Sequence, residues 1–387
     1  MVSRLSKWAI FGVFFFEASV IGQWIPRIPD IKDKLGLSDS DLGLALLSMP
    51  LGTLVGFAIA GRIIDRIGLR DACRLFLPVW ALLFITPALT NSFFQLALAL
   101  FVCGCAIGLI ETAMNTEAAR LESAAGARLM SRCHGFWSLG TMFGALLGGF
   151  IAQQGVSVAW HYVVVLPIIA LGGFWVSSLL PKLPRIKVSP SPDDLSDKPP
   201  AKSITIPSKA IILLCIMPLG IMMVEGVFID WSAVFMRDVM DASPLLIAVT
   251  YAFFATIMAA VRLSGDAITE RFGELLVVRF SAIAATVGIA MFALAPSTFW
   301  VFVAAAISGA GVAIVFPLAV TAAANRPGHS SADNIAALNM IAFSAFLIAP
   351  PLVGFLSEAI GLRMAFLALA PLAFMTFLLS NEVKPRN

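Results

Sequence analysis

The chain is 387 residues long, 59% hydrophobic and only 13% charged, with a mean hydropathy of +0.94. A water-soluble protein of this size could not cover itself with so little polar surface, so the solvent of this fold is lipid. The net charge of +3 is small, and the basic residues are spread along connecting segments, which argues against a nucleic-acid surface.

A span needs about 20 mostly apolar residues to cross roughly 30 Å of hydrocarbon. Twelve such stretches follow one another: 8–28, 41–61, 73–89, 93–116, 133–153, 159–180, 209–231, 244–264, 275–294, 299–322, 335–356 and 363–380. The first carries Glu17 and Gln23 and ends in Trp24-Ile25-Pro26-Arg27 without a small-residue cleavage site, so it is expected to remain in the mature protein. Most of the Lys and Arg residues fall in the termini and the even-numbered connections, among them Arg62, Arg66, Arg70, Arg74, Arg120, Arg128 and Arg132. The positive-inside rule then puts both termini in the cytoplasm. Arg27, Lys32 and Lys34 in the first outer loop are offset by Asp30, Asp33, Asp39 and Asp41.

Between 181 and 207 the chain turns rich in Pro, Ser, Asp and Lys, a composition that cannot bury a core. The expected organisation is a six-helix bundle over 1–180, a cytoplasmic linker over 181–207 and a second six-helix bundle over 208–387. The halves echo each other. Glu17…Gln23-Trp24 is answered by Glu225…Asp230-Trp231, and Asp65-Arg66-Ile67-Gly68 by Glu270-Arg271-Phe272-Gly273. Parallel repeats of this kind are the plan of transporters that rock one bundle against the other.

The segment Gly61-Arg62-Ile63-Ile64-Asp65-Arg66-Ile67-Gly68-Leu69-Arg70 resembles the signature loop of the major facilitator superfamily. In physical terms Gly61 permits close helix approach, Asp65 is a fixed negative charge, Gly68 makes the turn, and Arg66 and Arg70 hold the loop in the cytoplasm. The resemblance implies an all-α membrane protein of twelve transmembrane helices in two pseudo-symmetric bundles. It further implies that Asp65 braces the start of helix 11 near Asn334 by the helix dipole, with Glu270 doing likewise near Ser131 and Arg132, and Arg271 repeating Arg66. A narrower resemblance, to the YbjJ-type branch of bacterial facilitators, is carried by Glu111-Thr112-Ala113-Met114-Asn115, Glu122, Arg128, Met130-Ser131 and His134-Gly135-Phe136-Trp137-Ser138-Leu139-Gly140. Phe101-Val102-Cys103-Gly104 lacks the arginine that many proton-coupled drug exporters place there.

Ionisable groups at membrane depth are costly and mark function by default. Glu17, with Phe14, Ile21 and Trp24 on its helical face, is a proton or substrate site, the alternative being a structural hydrogen bond between helices. Glu225 is the second coupling candidate. Asp230, about 140° further round the helix, is either a site residue, a rim charge or a partner of Arg237. Arg262 is read as an i,i+4 pair with Asp266. Glu111 with Asn115, and His134 with Ser138, each sit one turn apart on antiparallel helices and form a candidate gate or binding cluster, the bland alternative being that they only hold two helices together. The glycines at 140, 144, 148 and 149 are packing residues.

Cys73, Cys103, Cys105, Cys133 and Cys215 show no metal or disulfide spacing. There is no phosphate-binding loop, no zincin motif and no nucleophile–base pair, so neither an enzyme nor a bound cofactor or metal is expected. The expectation is a monomeric secondary transporter of the bacterial inner membrane, with a small-molecule substrate and protons as coupling ion. A non-translocating sensor or scaffold of the same fold is the rival. Single cysteines at Arg70 and Asp193, in a cysteine-free background, should resist an impermeant thiol reagent in intact cells while those at Asp39 and Asn91 react. Labelling of position 193 from outside would overturn the orientation.

Overall fold

The computed structural model describes residues 4–126, 129–182, 211–326 and 331–384. The expected linker and Asp193 lie outside them. Among the described residues eleven helices are long and apolar enough to span a bilayer, and the shorter apolar Leu362–Leu378 supplies the twelfth. We name them α1 (Arg4–Trp24), α2 (Asp39–Ile67), α3 (Leu69–Leu89), α4 (Phe93–Ala125), α5 (Met130–Gln153), α6 (Val158–Ser178), α7 (Ile212–Asp230), α8 (Pro244–Leu263), α9 (Glu274–Leu294), α10 (Thr298–Ala324), α11 (Ser331–Ile360) and α12 (Leu362–Leu378). No strand occurs among the described residues. Helices satisfy their own backbone polar groups, which is why apolar sequence of this length adopts them in lipid.

The chain divides into two compact units, 1–198 with 243–252, and 199–242 with 253–387. Residues 243–252, the first turns of α8, cluster with the first unit. In the first unit α1 packs on α5 and α6, α2 on α4, and α3 on α4 and α6. In the second, α7 packs on α11 and α12, and α9 on α10 and α12.

Close approach carries this packing, because lipid offers no hydrophobic drive to bring helices together. A Cβ on Gly104 of α4 would strike the carbonyl of Met49 on α2, and one on Gly52 would strike that of Phe101. Similarly Gly140 and Gly144 of α5 lie against the carbonyls of Phe15 and Ser19 on α1, so the glycine repeat of the fifth span has the packing role expected of it. Large apolar side chains cover the outer surface, and exposed aromatics gather near helix ends: Trp8, Phe94, Trp160, Trp175, Phe299 and Trp300. Such belts mark the two membrane interfaces.

The repeat seen in sequence recurs in geometry. Gly68 (φ 87°, ψ 155°) and Gly273 (φ 79°, ψ 150°) adopt one left-handed conformation between successive helices. Six residues further, Arg74 Nε donates to Ser178 Oγ at 3.1 Å and its guanidinium lies 5.0 Å from the Phe174 ring. Arg279 Nε donates to Ser380 Oγ at 3.0 Å and lies 5.6 Å from the Phe377 ring. The same bond and the same ring contact in each unit are what diverged copies of one bundle leave behind.

Gly104→Leu should lower the stability of the detergent-solubilised protein by roughly 1–3 kcal/mol, the usual cost of overpacking. Leu98→Ala at a lipid-facing position, 64% exposed, should leave the unfolding temperature nearly unchanged. Thermal unfolding followed by tryptophan fluorescence checks both.

Candidate functional site

Glu17 lies on α1 and is fully buried. Trp137 Nε1 on α5 donates to its Oε2 at 2.8 Å, while Oε1 has no hydrogen-bond partner. The backbone carbonyl of the same residue accepts from Trp80 Nε1 on α3 at 3.4 Å. Phe14 packs one turn below, and the exposed His134 ring stands edge-on to it at 5.6 Å.

Glu111, half-buried on α4, accepts from Asn115 Nδ2 at 2.8 Å, and the same amide also donates to the Glu111 carbonyl at 2.9 Å. Glu111 and Glu17 belong to the same unit, and the side-chain partners of their carboxylates are the neutral groups of Asn115 and Trp137. Asn115 belongs to Glu111, and Ser138 Oγ donates to the carbonyl of His134 in its own helix at 3.2 Å. The pair that forms across helices is Glu17 with Trp137.

Gln23 and Trp24 turn into the first bundle. Gln23 Oε1 meets His161 Nε2 at 2.7 Å and its carbonyl accepts from Tyr162 at 3.3 Å, whereas Trp24 packs edge-on against Phe84. Both are enclosed side chains of a bundle interior.

In the second unit Arg262 Nη2 donates to both Glu225 oxygens, at 3.0 and 3.2 Å. The i,i+4 spacing suggested Asp266; the geometry gives Arg262 a partner on α7, so Glu225 carries a compensating charge that Glu17 lacks. Asp230 is half-buried and meets no charged or hydrogen-bonding group among the described residues, while Arg237 pairs with Asp238 at 2.8 Å.

Gly61, Asp65 and Arg66 fall in the last turns of α2, and Arg70 Nη2 donates to the Ser178 carbonyl at 2.5 Å. Glu270 and Arg271 are exposed, Arg271 lying over the Phe272 ring. At the start of α5, Glu122 accepts from the backbone N–H groups of Leu129 and Met130, at 2.5 and 2.8 Å, capping the helix with a negative charge where the dipole favours one. Asn334, at the start of α11, donates to the Arg326 carbonyl at 3.0 Å.

Sequence reasoning assigned no role to Trp137 or His161, because an indole N–H or a histidine on an apolar face reads as core until its partner is known. It also passed over two further ion pairs, Glu117 with Arg120 at 3.5 Å and Arg326 with Glu382. All four residues lie just beyond the ends of the apolar spans, where a charge reads as an ordinary flanking residue. No cluster of metal-ligating side chains occurs among the described residues.

The model of the Major Facilitator Superfamily matches residues 8–345, and the chain belongs to that family. It is 28% identical to an uncharacterized transporter of Sinorhizobium fredii, covering 96% of each chain. It is 29% identical to an uncharacterized MFS-type transporter of Yersinia pestis, over 91% of this chain and 89% of that one. Membrane protein MosC of Rhizobium meliloti is 26% identical over 94% and 86%. Among solved structures, a bacterial homologue of the lysosomal transporter Spinster superposes with TM-score 0.70 at 17% identity, covering 97% of this chain and 96% of that one. The nucleoside transporter NupG gives 0.69 at 15% identity, covering 99% and 100%. The chain is a multi-pass membrane transporter of the facilitator fold.

Trp137→Phe removes the donor to Glu17 and keeps most of the ring. It should lower stability by about 1–3 kcal/mol, the cost of a buried acceptor left unpaired, and by much less in a Glu17→Leu background. A double-mutant cycle by thermal unfolding measures the difference.

Proposed function

We propose that this protein is a secondary active transporter that moves a small solute across the bacterial inner membrane by alternating access, driven by protons that bind at Glu17 and Glu111. The observation that carries this reading is the contrast between the two units. Glu225 is held by a guanidinium, whereas Glu17 is enclosed in the first bundle with a single neutral donor and one oxygen unpartnered. A carboxyl group held at membrane depth by neutral donors alone is costly and marks a proton or substrate site by default. That gives the unit a group whose charge changes as solvent reaches it from one side or the other. Basic residues at the cytoplasmic ends of the helices support an orientation with both termini in the cytoplasm. The close-packed units, each with its own core, support function as a monomer.

The first test needs no substrate. The infrared carboxyl band of protonated acid in the purified, lipid-reconstituted protein should titrate with pH, and that titrating component should disappear in Glu17→Gln with Glu111→Gln. A thermal-shift screen of sugars, amino acids, organic acids and amines then identifies a ligand, because a binder stabilises the folded state by mass action. In proteoliposomes Glu17→Gln should still exchange that ligand across the membrane yet fail to accumulate it under an imposed proton gradient. Full gradient-driven accumulation by the single and double Gln variants would sink the assignment.

A further inference from the structure

Helix α10 is not continuous: it runs from Thr298 to Val312, breaks over Ala313 and Ile314, and resumes from Val315 to Ala324. The cause is local. Pro317 has no N–H, so the carbonyl of Ala313, four residues before it, loses the donor that an uninterrupted helix would supply. The next bond survives, Leu318 N–H donating to Ile314 O at 3.2 Å. In lipid an orphaned carbonyl has no water to turn to. Here Arg262 Nε donates to Ala313 O at 3.1 Å, while Nη2 of the same guanidinium holds both oxygens of Glu225. One side chain thus joins α8, the break in α10 and the carboxylate of α7, all inside the second unit.

We propose that Arg262 is the positioning residue of the second unit: it latches the proline break of α10 to Glu225, so that the angle at Ala313–Ile314 is set by whether the Glu225 carboxylate keeps its hold on the guanidinium. Three features argue for a latch rather than an incidental ion pair. The guanidinium is planar and uses two edges at once, a geometry that an ammonium cannot reproduce. The acceptor is a backbone carbonyl with no intrahelical donor, so releasing Arg262 exposes an unsatisfied group and favours a new helix angle. The pair is not sealed, since the Arg262 and Glu225 side chains are 31% and 16% exposed, which leaves it open to a competing ligand group. Discontinuous helices are where many secondary transporters build their substrate and ion sites. The inference rests on the transporter reading only for its use in the cycle; the latch itself is a property of the second unit and is tested without substrate.

The test is an epistasis experiment on the full chain in detergent and in nanodiscs. Arg262→Met should lower the unfolding temperature and speed amide hydrogen exchange across residues 309–318 on the order of tenfold, the factor that goes with losing one buried hydrogen bond. Pro317→Ala restores the missing donor to Ala313 O, and the double variant should recover slow exchange over 309–318 while exchange near Glu225 stays fast. Arg262→Lys should keep the pairing with Glu225 yet show the same fast exchange at the break, and it carries the test if the Met variant does not insert. Exchange over 309–318 that is unchanged in both single variants, or that Pro317→Ala fails to suppress, overturns the latch. Loss of proton-driven accumulation in Glu17→Gln with no exchange change at 309–318 bears on the coupling site alone, so the two readings fail separately.

Discussion

A backbone in hydrocarbon has no water to satisfy an N–H or a C=O, and this constraint shapes both units of the protein. It makes every spanning segment a helix, and it makes an interruption of a helix a place where a side chain can take over a lost backbone bond. The solutions are visible one by one. Leu83, whose carbonyl faces the Pro87 break in α3, accepts from Thr86 Oγ1 at 2.7 Å and Cys103 Sγ at 3.5 Å. Met217, beside Pro218 in α7, has its carbonyl bound by Thr376 Oγ1 at 2.6 Å. Ala313, before Pro317 in α10, takes Arg262. The first two donors are neutral and small, and the third is a charge, which ties that break to the electrostatics of the second unit.

The same medium ranks the ionisable residues. A charge paired in low dielectric is a fixed part of the fold, and a charge without a counter-ion is one that favours neutralisation. By that measure Glu225 with Arg262 belongs to the framework of the second unit, and Glu17 with Glu111 stands apart in the first. The two bundles descend from one plan, as the matched contacts of Arg74 with Ser178 and of Arg279 with Ser380 show, yet they have divided the work. The first carries uncompensated acid, whereas the second carries a compensated pair attached to a broken helix.

Much of this was legible without coordinates. Hydropathy alone marked the spans, because a bilayer demands a length of apolar sequence and little else, and the repeat of Asp65-Arg66-Ile67-Gly68 in Glu270-Arg271-Phe272-Gly273 marked the duplication. Gly68 and Gly273 explain why: a left-handed backbone between two helices admits glycine most readily, so the position keeps its letter while its neighbours drift. The depth of Glu17, Glu111 and Glu225 was legible for the same reason, since each sits inside an apolar run.

What the sequence determined by itself was the solvent, the number of crossings, the duplication and the short roll of buried acids, all of which depend on residue type and linear spacing. What only tertiary structure decided was partnership. Trp137 lies 120 residues from Glu17, and Arg262 lies 37 residues from Glu225. Spacing along one helix pointed Arg262 toward Asp266, because neighbours at i+4 are the contacts a sequence displays most directly. Which helix faces which is set by the glycine-lined crossings of whole bundles, and it is that facing which left one carboxylate compensated and another alone.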